Sequence, residues 1–158
     1  MRYKTMKIIV DTNIVFSALL NSNSRIGRLL LNSRNFFEFY SCKYLQKEIQ
    51  CHFHRILTYS RLKEEDLSEL INLIESRIFF IDEKLLPETV IFRAKELVKN
   101  IDFDDFAFVA IANYLNALLW TGDKVLIEGL RKKGYKNIIT TLELSRLLEE
   151  QETKPPLS

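Results

Sequence analysis

The chain has 158 residues, about one domain, and with 47% hydrophobic residues and 11 Phe it has enough apolar surface for one sizeable core. Lys and Arg number 23 against 21 acids, and the net charge of +2 is too small to mark a nucleic-acid binder by itself. With 28% charged residues, 4 Gly, 3 Pro and 2 Cys, the composition excludes a disordered, fibrous or disulfide-stapled chain, and no apolar run approaches the ~20 residues of a membrane span.

The start, Met1-Arg2-Tyr3-Lys4-Thr5, lacks the apolar core of a signal peptide, so a cytoplasmic protein is expected. Lys7-Ile8-Ile9-Val10 is a continuous apolar run cut off by Asp11, the pattern of a strand buried on both faces of a parallel sheet. The spacing of Ile26, Leu29 and Leu30 predicts a helix over 24–32, and 36–40 reads as a second strand. One long helix is expected over 44–59, with Leu45, Ile49, Phe53, Ile56 and Leu57 as its apolar stripe, and another over 63–76. Ile78-Phe79-Phe80-Ile81 is the third strand, and Pro87 suits the start of a helix running to 99.

An acidic knot at 102–105 opens an apolar helix over 106–115, which Asn116 ends in a left-handed conformation. A fourth strand over 117–120 turns through Thr121-Gly122-Asp123 into a helix over 124–133. Arg131, Lys132 and Lys133 complement that helix's dipole, and Gly134 follows as its stop. A fifth strand spans 137–140, Thr141 caps a final helix to 148, and the polar stretch after it reads as a loose tail. One domain over 1–150 with a flexible tail over 151–158 is expected. Short apolar strands alternating with helices predict a three-layer α/β/α sandwich around a parallel sheet.

In such sheets ligands sit at the carboxyl ends of the strands. Asp11 follows the first strand and Asp123 the fourth, so both project from one edge, and they flank the switch point if the chain order reverses between these strands. An acid at a helix start is ordinarily a cap, and Asp104 reads that way. Asp11-Thr12-Asn13 and Thr121-Gly122-Asp123 are two polar turns after buried strands, a coincidence that capping explains less easily. Glu48 borders the apolar stripe of its helix, where it either brushes the core from the surface or leans inward toward a cation shared with Asp11. Carboxylates converging on one pocket repel one another unless a divalent cation neutralises them. Oxygen-only ligands favour Mg²⁺ or Mn²⁺ over zinc, and such an ion activates a hydrolytic water and offsets charge on a phosphate. Phosphodiester or phosphomonoester hydrolysis fits.

Taken in order, Ile9-Val10-Asp11-Thr12-Asn13, Glu48, the stretch Asp102-Phe103-Asp104-Asp105-Phe106-Ala107-Phe108-Val109-Ala110 and Trp120-Thr121-Gly122-Asp123 span the chain from about residue 7 to 148. On these motifs the sequence resembles the PIN-domain family, nucleases that include the toxins of many prokaryotic toxin–antitoxin pairs. The resemblance implies a five-stranded parallel sheet in the order 3-2-1-4-5 and metal-dependent cleavage of single-stranded RNA. It implies Asp11, Glu48, Asp105 and Asp123 as the catalytic, metal-binding acids, holding Mg²⁺ or Mn²⁺, with Asn13, Asp102 and Thr121 in support. Asp105 is preferred to Asp104 because the family's acid lies three residues before the aromatic that Phe108 matches; Phe106 and Ala107 depart from the family's usual proline or small residue. The implied partners are RNA, an antitoxin protein and a second copy of the chain. Arg25, Arg28, Lys43 and Lys47 are candidates for substrate phosphates or ordinary solvated faces.

Three other readings compete. A haloacid-dehalogenase-like phosphatase also places an Asp after its first strand, but Asn13 and Ile127 stand where it needs acids. A two-component receiver would use Asp82 as phosphoacceptor, yet Asp11 lacks a paired acid and Thr140-Thr141 replaces its Lys. A PIN fold serving only as an interaction module is the third. Cys51-His52-Phe53-His54 fits no zinc spacing.

Overall fold

Strands as apolar as these find no stable place with either face in water, and the chain resolves that by pairing them in the middle of a sandwich. The computed structural model describes residues 5–155; the start at 1–4 and residues 156–158 of the expected tail lie outside the described residues. Strands β1 (Met6–Val10), β2 (Phe37–Cys42), β3 (Ile78–Ile81), β4 (Leu118–Trp120) and β5 (Ile138–Ile139) form a five-stranded sheet, parallel throughout, in the order β3-β2-β1-β4-β5. The helices are α1 (Thr12–Leu20), α2 (Arg25–Asn32), α3 (Lys43–Cys51), α4 (Phe53–Ser60), α5 (Glu64–Ser76), α6 (Glu88–Val98), α7 (Phe106–Leu115), α8 (Lys124–Lys132) and α9 (Thr141–Thr153). α1 packs against α2 to α5 and α2 touches α9, whereas α6 touches α7 and α8. Right-handed crossovers put these two groups on opposite faces of the sheet. Among the described residues no helix is long and apolar enough to cross a membrane.

The architecture and strand order are those expected, and the differences are local. α1 begins inside the polar turn at 11–13 and fills a stretch to which the sequence pattern assigns no element. It is apolar nearly all round, with Ile14, Val15, Ala18 and Leu19 buried, so no amphipathic stripe announces it. The helix expected over 44–59 is two helices, broken at His52. Leu45, Ile49 and Ile56 are buried on both sides of the break, so the apolar period reads straight through it. β2 runs on through Ser41, whose polar side chain reads as a strand end; its buried hydroxyl donates to the Val10 carbonyl at 2.8 Å. Thr140, not Thr141, caps α9, because Glu143 three residues on closes a capping box with it. That helix continues to Thr153, so residues 149–153 are helical where the sequence suggests a loose tail.

Two tertiary contacts fix the strand ends that matter most. Trp120 is fully buried, packs its ring against Phe39 at 5.9 Å between centroids, and donates its indole N–H to Thr141 Oγ1 at 3.0 Å. Asn116 closes α7 at φ 51°, with Ala117 N–H returning to the Ala112 carbonyl at 2.8 Å, and this delivers the chain directly into β4.

The bend between α1 and α2 leaves no room at Gly27, where a methyl group would press on the backbone of Ser22. Gly27→Ala is expected to destabilise the fold by about 1–3 kcal/mol in urea denaturation. Gly122→Ala, where nothing lies within 4 Å, is expected to stay within about 0.5 kcal/mol of the wild type.

Candidate active site

β1 and β4 are the neighbouring strands from which the chain departs in opposite directions, and Val10 pairs with Trp120. The residues after them, Asp11 and Thr121, therefore emerge side by side at the switch point, and both are buried: Asp11 is 3% exposed and Thr121 0%. Asp11 caps α1, its Oδ1 accepting the Ile14 N–H at 3.0 Å. Asp123 caps α8 by accepting the Val125 and Leu126 N–H groups at 3.0 and 3.2 Å. Thr121 joins the two turns. Its hydroxyl oxygen accepts the Asp123 N–H at 3.1 Å, and its side chain is hydrogen-bonded to the Asp11 carboxylate.

The 3-10 turn Phe103–Asp105 brings a third acid from the front of α7. Asp105 occupies the N-cap position of α7 without making a cap bond, and its carboxyl is hydrogen-bonded to that of Asp102. Carboxylate oxygens of Asp102, Asp105 and Asp123 all lie within 4.8 Å of one another. In front of them opens a cavity of about 500 Å³ lined by, among others, Asp11, Asn13, Glu48, Glu83, Asp104 and Asp105. Glu48 is held on its wall by the Thr12 hydroxyl, which donates to Oε1 at 3.1 Å.

So many acids together resist ionisation. Burial, then the charges of Asp102, Asp11 and Asp123, push the Asp105 carboxyl up to about 7. Burial also pushes Asp11 up to about 6, against the hydrogen bonds of Thr121 and Ile14, and the Asp123 charge adds to the rise. An all-oxygen donor set with excess negative charge fits a hard divalent cation and not zinc.

Of the residues singled out from sequence, Asp11, Glu48 and Asp105 line one cavity, and Asp123 meets Asp105 through the compact group. Asp102, expected only in support, belongs to that group. Asn13 lines the cavity, and Thr121 sits beneath it as the link between Asp11 and Asp123. Asp104 is not the cap of α7: it lines the cavity, and its N–H is held by Asp102 Oδ1 at 3.2 Å. Tyr44 and Glu83 also line the cavity and were missed, although Glu83 follows the third strand at the same sheet edge and that rule could have found it. Arg25 and Arg28 line a different cavity with Arg146, between α2 and α9, and Lys43 and Lys47 are exposed on α3. Arg131 pairs with Glu143 at 2.8 Å, and Lys133 donates to the Leu97 carbonyl at 2.7 Å, so this basic run serves helix ends. Among the described residues Cys51, His52 and His54 form no metal-binding group.

A doubly wound parallel sheet in this order, with acids gathered at its switch point, is a PIN-like fold. The sequence profile of the PIN domain matches residues 9–143, and the chain belongs to the PIN domain family, whose members are generally nucleases that use divalent metals. That membership displaces the dehalogenase-like and receiver readings. No curated protein sequence matches the chain. Among solved structures it is similar to PAE2754 from Pyrobaculum aerophilum, with a TM-score of 0.64 and 14% identity over 92% of this chain and 91% of that one. It is also similar to a chain of VapBC2 from Rickettsia felis bound to a DNA fragment from their promoter, with a TM-score of 0.57 and 19% identity over 85% of this chain and 97% of that one. At such identities the likeness is one of fold.

A folded Asp105 carboxyl that keeps its proton to about 7, against 3.8 for an ordinary one, makes the metal-free protein lose stability as pH rises between those values. Asp105→Asn carries no such charge, so its stability relative to wild type, followed by urea denaturation in EDTA, is expected to increase steadily from about pH 4 to about pH 7. Added Mn²⁺ is expected to raise the melting temperature of the wild type, most strongly above pH 7, and to raise that of Asp105→Asn less.

Proposed function

We propose that this PIN-domain protein is a metal-dependent endoribonuclease that hydrolyses phosphodiester bonds of single-stranded RNA, acting as the toxin of a toxin–antitoxin pair. The observation that carries the reading is the meeting of Asp102, Asp105 and Asp123 oxygens within 4.8 Å, beside a buried Asp11 and a cavity also walled by Glu48. A cluster serving only to cap helices would not need Asp105, which makes no cap bond and keeps its proton to about 7.

In this reading Asp11, Asp105 and Asp123 hold Mg²⁺ or Mn²⁺, with Asp102 beside them and Glu48 completing the charge from across the cavity. The bound ion supplies Lewis-acid chemistry, making water a competent nucleophile near neutral pH and offsetting charge on the phosphate. The protein's part is to hold its carboxylates still. The Thr121 hydroxyl fixes Asp11 relative to Asp123, Thr12 fixes Glu48, and the starts of α1 and α8 favour negative charge at Asp11 and Asp123. With a metal-activated water as nucleophile, the reading is direct hydrolysis with no covalent intermediate. The partners are RNA, an antitoxin protein and a second copy of the chain, in a cytoplasmic setting. The similarity to VapBC2 supports the antitoxin, and the family resemblance supports the dimer.

Asp11→Asn is the informative variant, because Asn caps a helix as well as Asp does and the fold is kept. On labelled single-stranded RNA with Mn²⁺ it is expected to lose at least about 100-fold in cleavage rate. Equal rates for the two proteins would remove the assignment. Release of inorganic phosphate from small phosphomonoesters, with RNA left whole, would replace the substrate.

A further inference from the structure

A sheet ends where something keeps a further strand away. On one side of this sheet that condition is met: β5 is two residues long and follows the exposed Lys136, so it offers little to pair with. β3, on the other side, has no such guard. Ile78-Phe79-Phe80-Ile81 carries no charge, Pro or Gly, and its residue types favour strands. Among the described residues no backbone hydrogen bond joins it to anything but β2, so the N–H and C=O groups on its outer side are free. β2 beside it and α5 on one face are its main neighbours. The other face is poorly covered. Phe79 leaves 60% of its surface in water and sets its ring against that of Tyr40, 5.3 Å away between centroids. Leu73 in the last turn of α5 and Leu85 in the turn after β3 are exposed as well.

Two properties of this edge select its occupant. Side chains alternate between the faces of a strand, so two copies joined antiparallel about a two-fold axis perpendicular to the sheet match face to face only if the axis passes through a residue. Phe79 is the exposed residue of the strand. An axis through it sets two Phe79 rings side by side between two Tyr40 rings, an aromatic row across the join. The charges favour the same direction. Arg77 precedes the strand and Asp82 follows it, and among the described residues neither makes an ion pair. Antiparallel pairing brings the basic end of each strand beside the acidic end of the other, whereas parallel pairing would set like against like.

We propose that the free edge of β3 is where two copies of this chain join, antiparallel about a two-fold axis at Phe79, turning two five-stranded sheets into one continuous sheet. This rests on the function proposed above for the second copy alone, and gives that copy a place. With four strand residues a side the join is small, and a weak dimer is expected, with a Kd of about 10–100 µM.

Sedimentation velocity of the full chain in EDTA, between about 5 and 500 µM, reads the association. The wild type is expected to pass from monomer to dimer over that range, with amide exchange in Ile78–Ile81 slowing in step. Phe79→Lys places a charge on the edge at a site open enough to keep the fold, and is expected to weaken the dimer at least about tenfold. Asp82→Lys is expected to weaken it about threefold, and Arg77→Glu combined with Asp82→Lys to restore it. Tyr59→Lys, at an exposed ring on α4, is expected to associate like the wild type. A dimer that Phe79→Lys leaves intact, that Tyr59→Lys weakens equally, or that forms without slowed exchange in β3 overturns this interface alone and leaves the second copy to dock elsewhere. A double variant no better than Asp82→Lys overturns the antiparallel direction and with it the axis at Phe79. A wild type that stays monomeric throughout, the result expected if the edge takes an extended segment of another protein, overturns the interface and removes the second copy as well. RNA cleavage is scored apart from all of these.

Discussion

Mutual repulsion among carboxylates is the constraint around which this molecule is arranged. Left to solvent, Asp11, Asp102, Asp105 and Asp123 would separate. Here the ends of two adjacent parallel strands and the start of a buried helix hold them together, with Asp11 buried and Asp102, Asp105 and Asp123 half-buried. Part of that charge is balanced by the backbone, since Asp11 and Asp123 each sit on the N-terminus of a helix and accept its free N–H groups. Asp105 makes no such cap bond, and burial together with the charges of Asp102, Asp11 and Asp123 pushes its carboxyl up to about 7. An oxygen-ligated cation is what would complete the arrangement.

Holding like charges together requires rigid supports, and the supports here are well-buried elements of the chain. α7 behind Asp105 is buried continuously from Ala107 to Ala112. β1 before Asp11 is fully buried from Ile8 to Val10, and its end is tied to β2 by Ser41. β4 before Thr121 is held by Trp120, which reaches across to Thr141 at the start of α9. Two strands and a helix thus meet at one point with little freedom to relax apart. The opposite wall is of another kind. Glu48 and Tyr44 come from the half-exposed α3, and Glu83 from a short turn. The deep side of the site is fixed, and its outer side is built from elements on the surface.

What could be read from the order of residues was whatever leaves a local pattern. The apolar run at Lys7-Ile8-Ile9-Val10 marks a buried parallel strand, because a strand covered on both faces dispenses with polar alternation; the run at Ile78-Phe79-Phe80-Ile81 also marks a strand, but β3 forms the sheet edge and leaves Phe79 60% exposed. Asn116 and Gly134 mark helix ends, because both lie at positive φ, where side chains with a β-carbon rarely sit. Asp11 and Asp123 were legible for the same reason: an acid straight after such a strand lies at the sheet edge where ligands bind.

Tertiary structure decided the rest. α1 and the His52 break leave no mark, since an all-apolar helix has no stripe and the core continues across the bend. Asp102 joins Asp105 and Asp123 only because a 3-10 turn folds it back, and Arg25 and Arg28 lie at another cavity only because α2 packs on α9. The sequence by itself determined the five strands, most of the helices and which strand ends carry acids, because backbone hydrogen bonding and burial act over a few neighbouring residues. Which acids share one charge cloud, and which cations and aromatic rings border it, depends on distances between residues far apart in the chain, and only packing sets those distances.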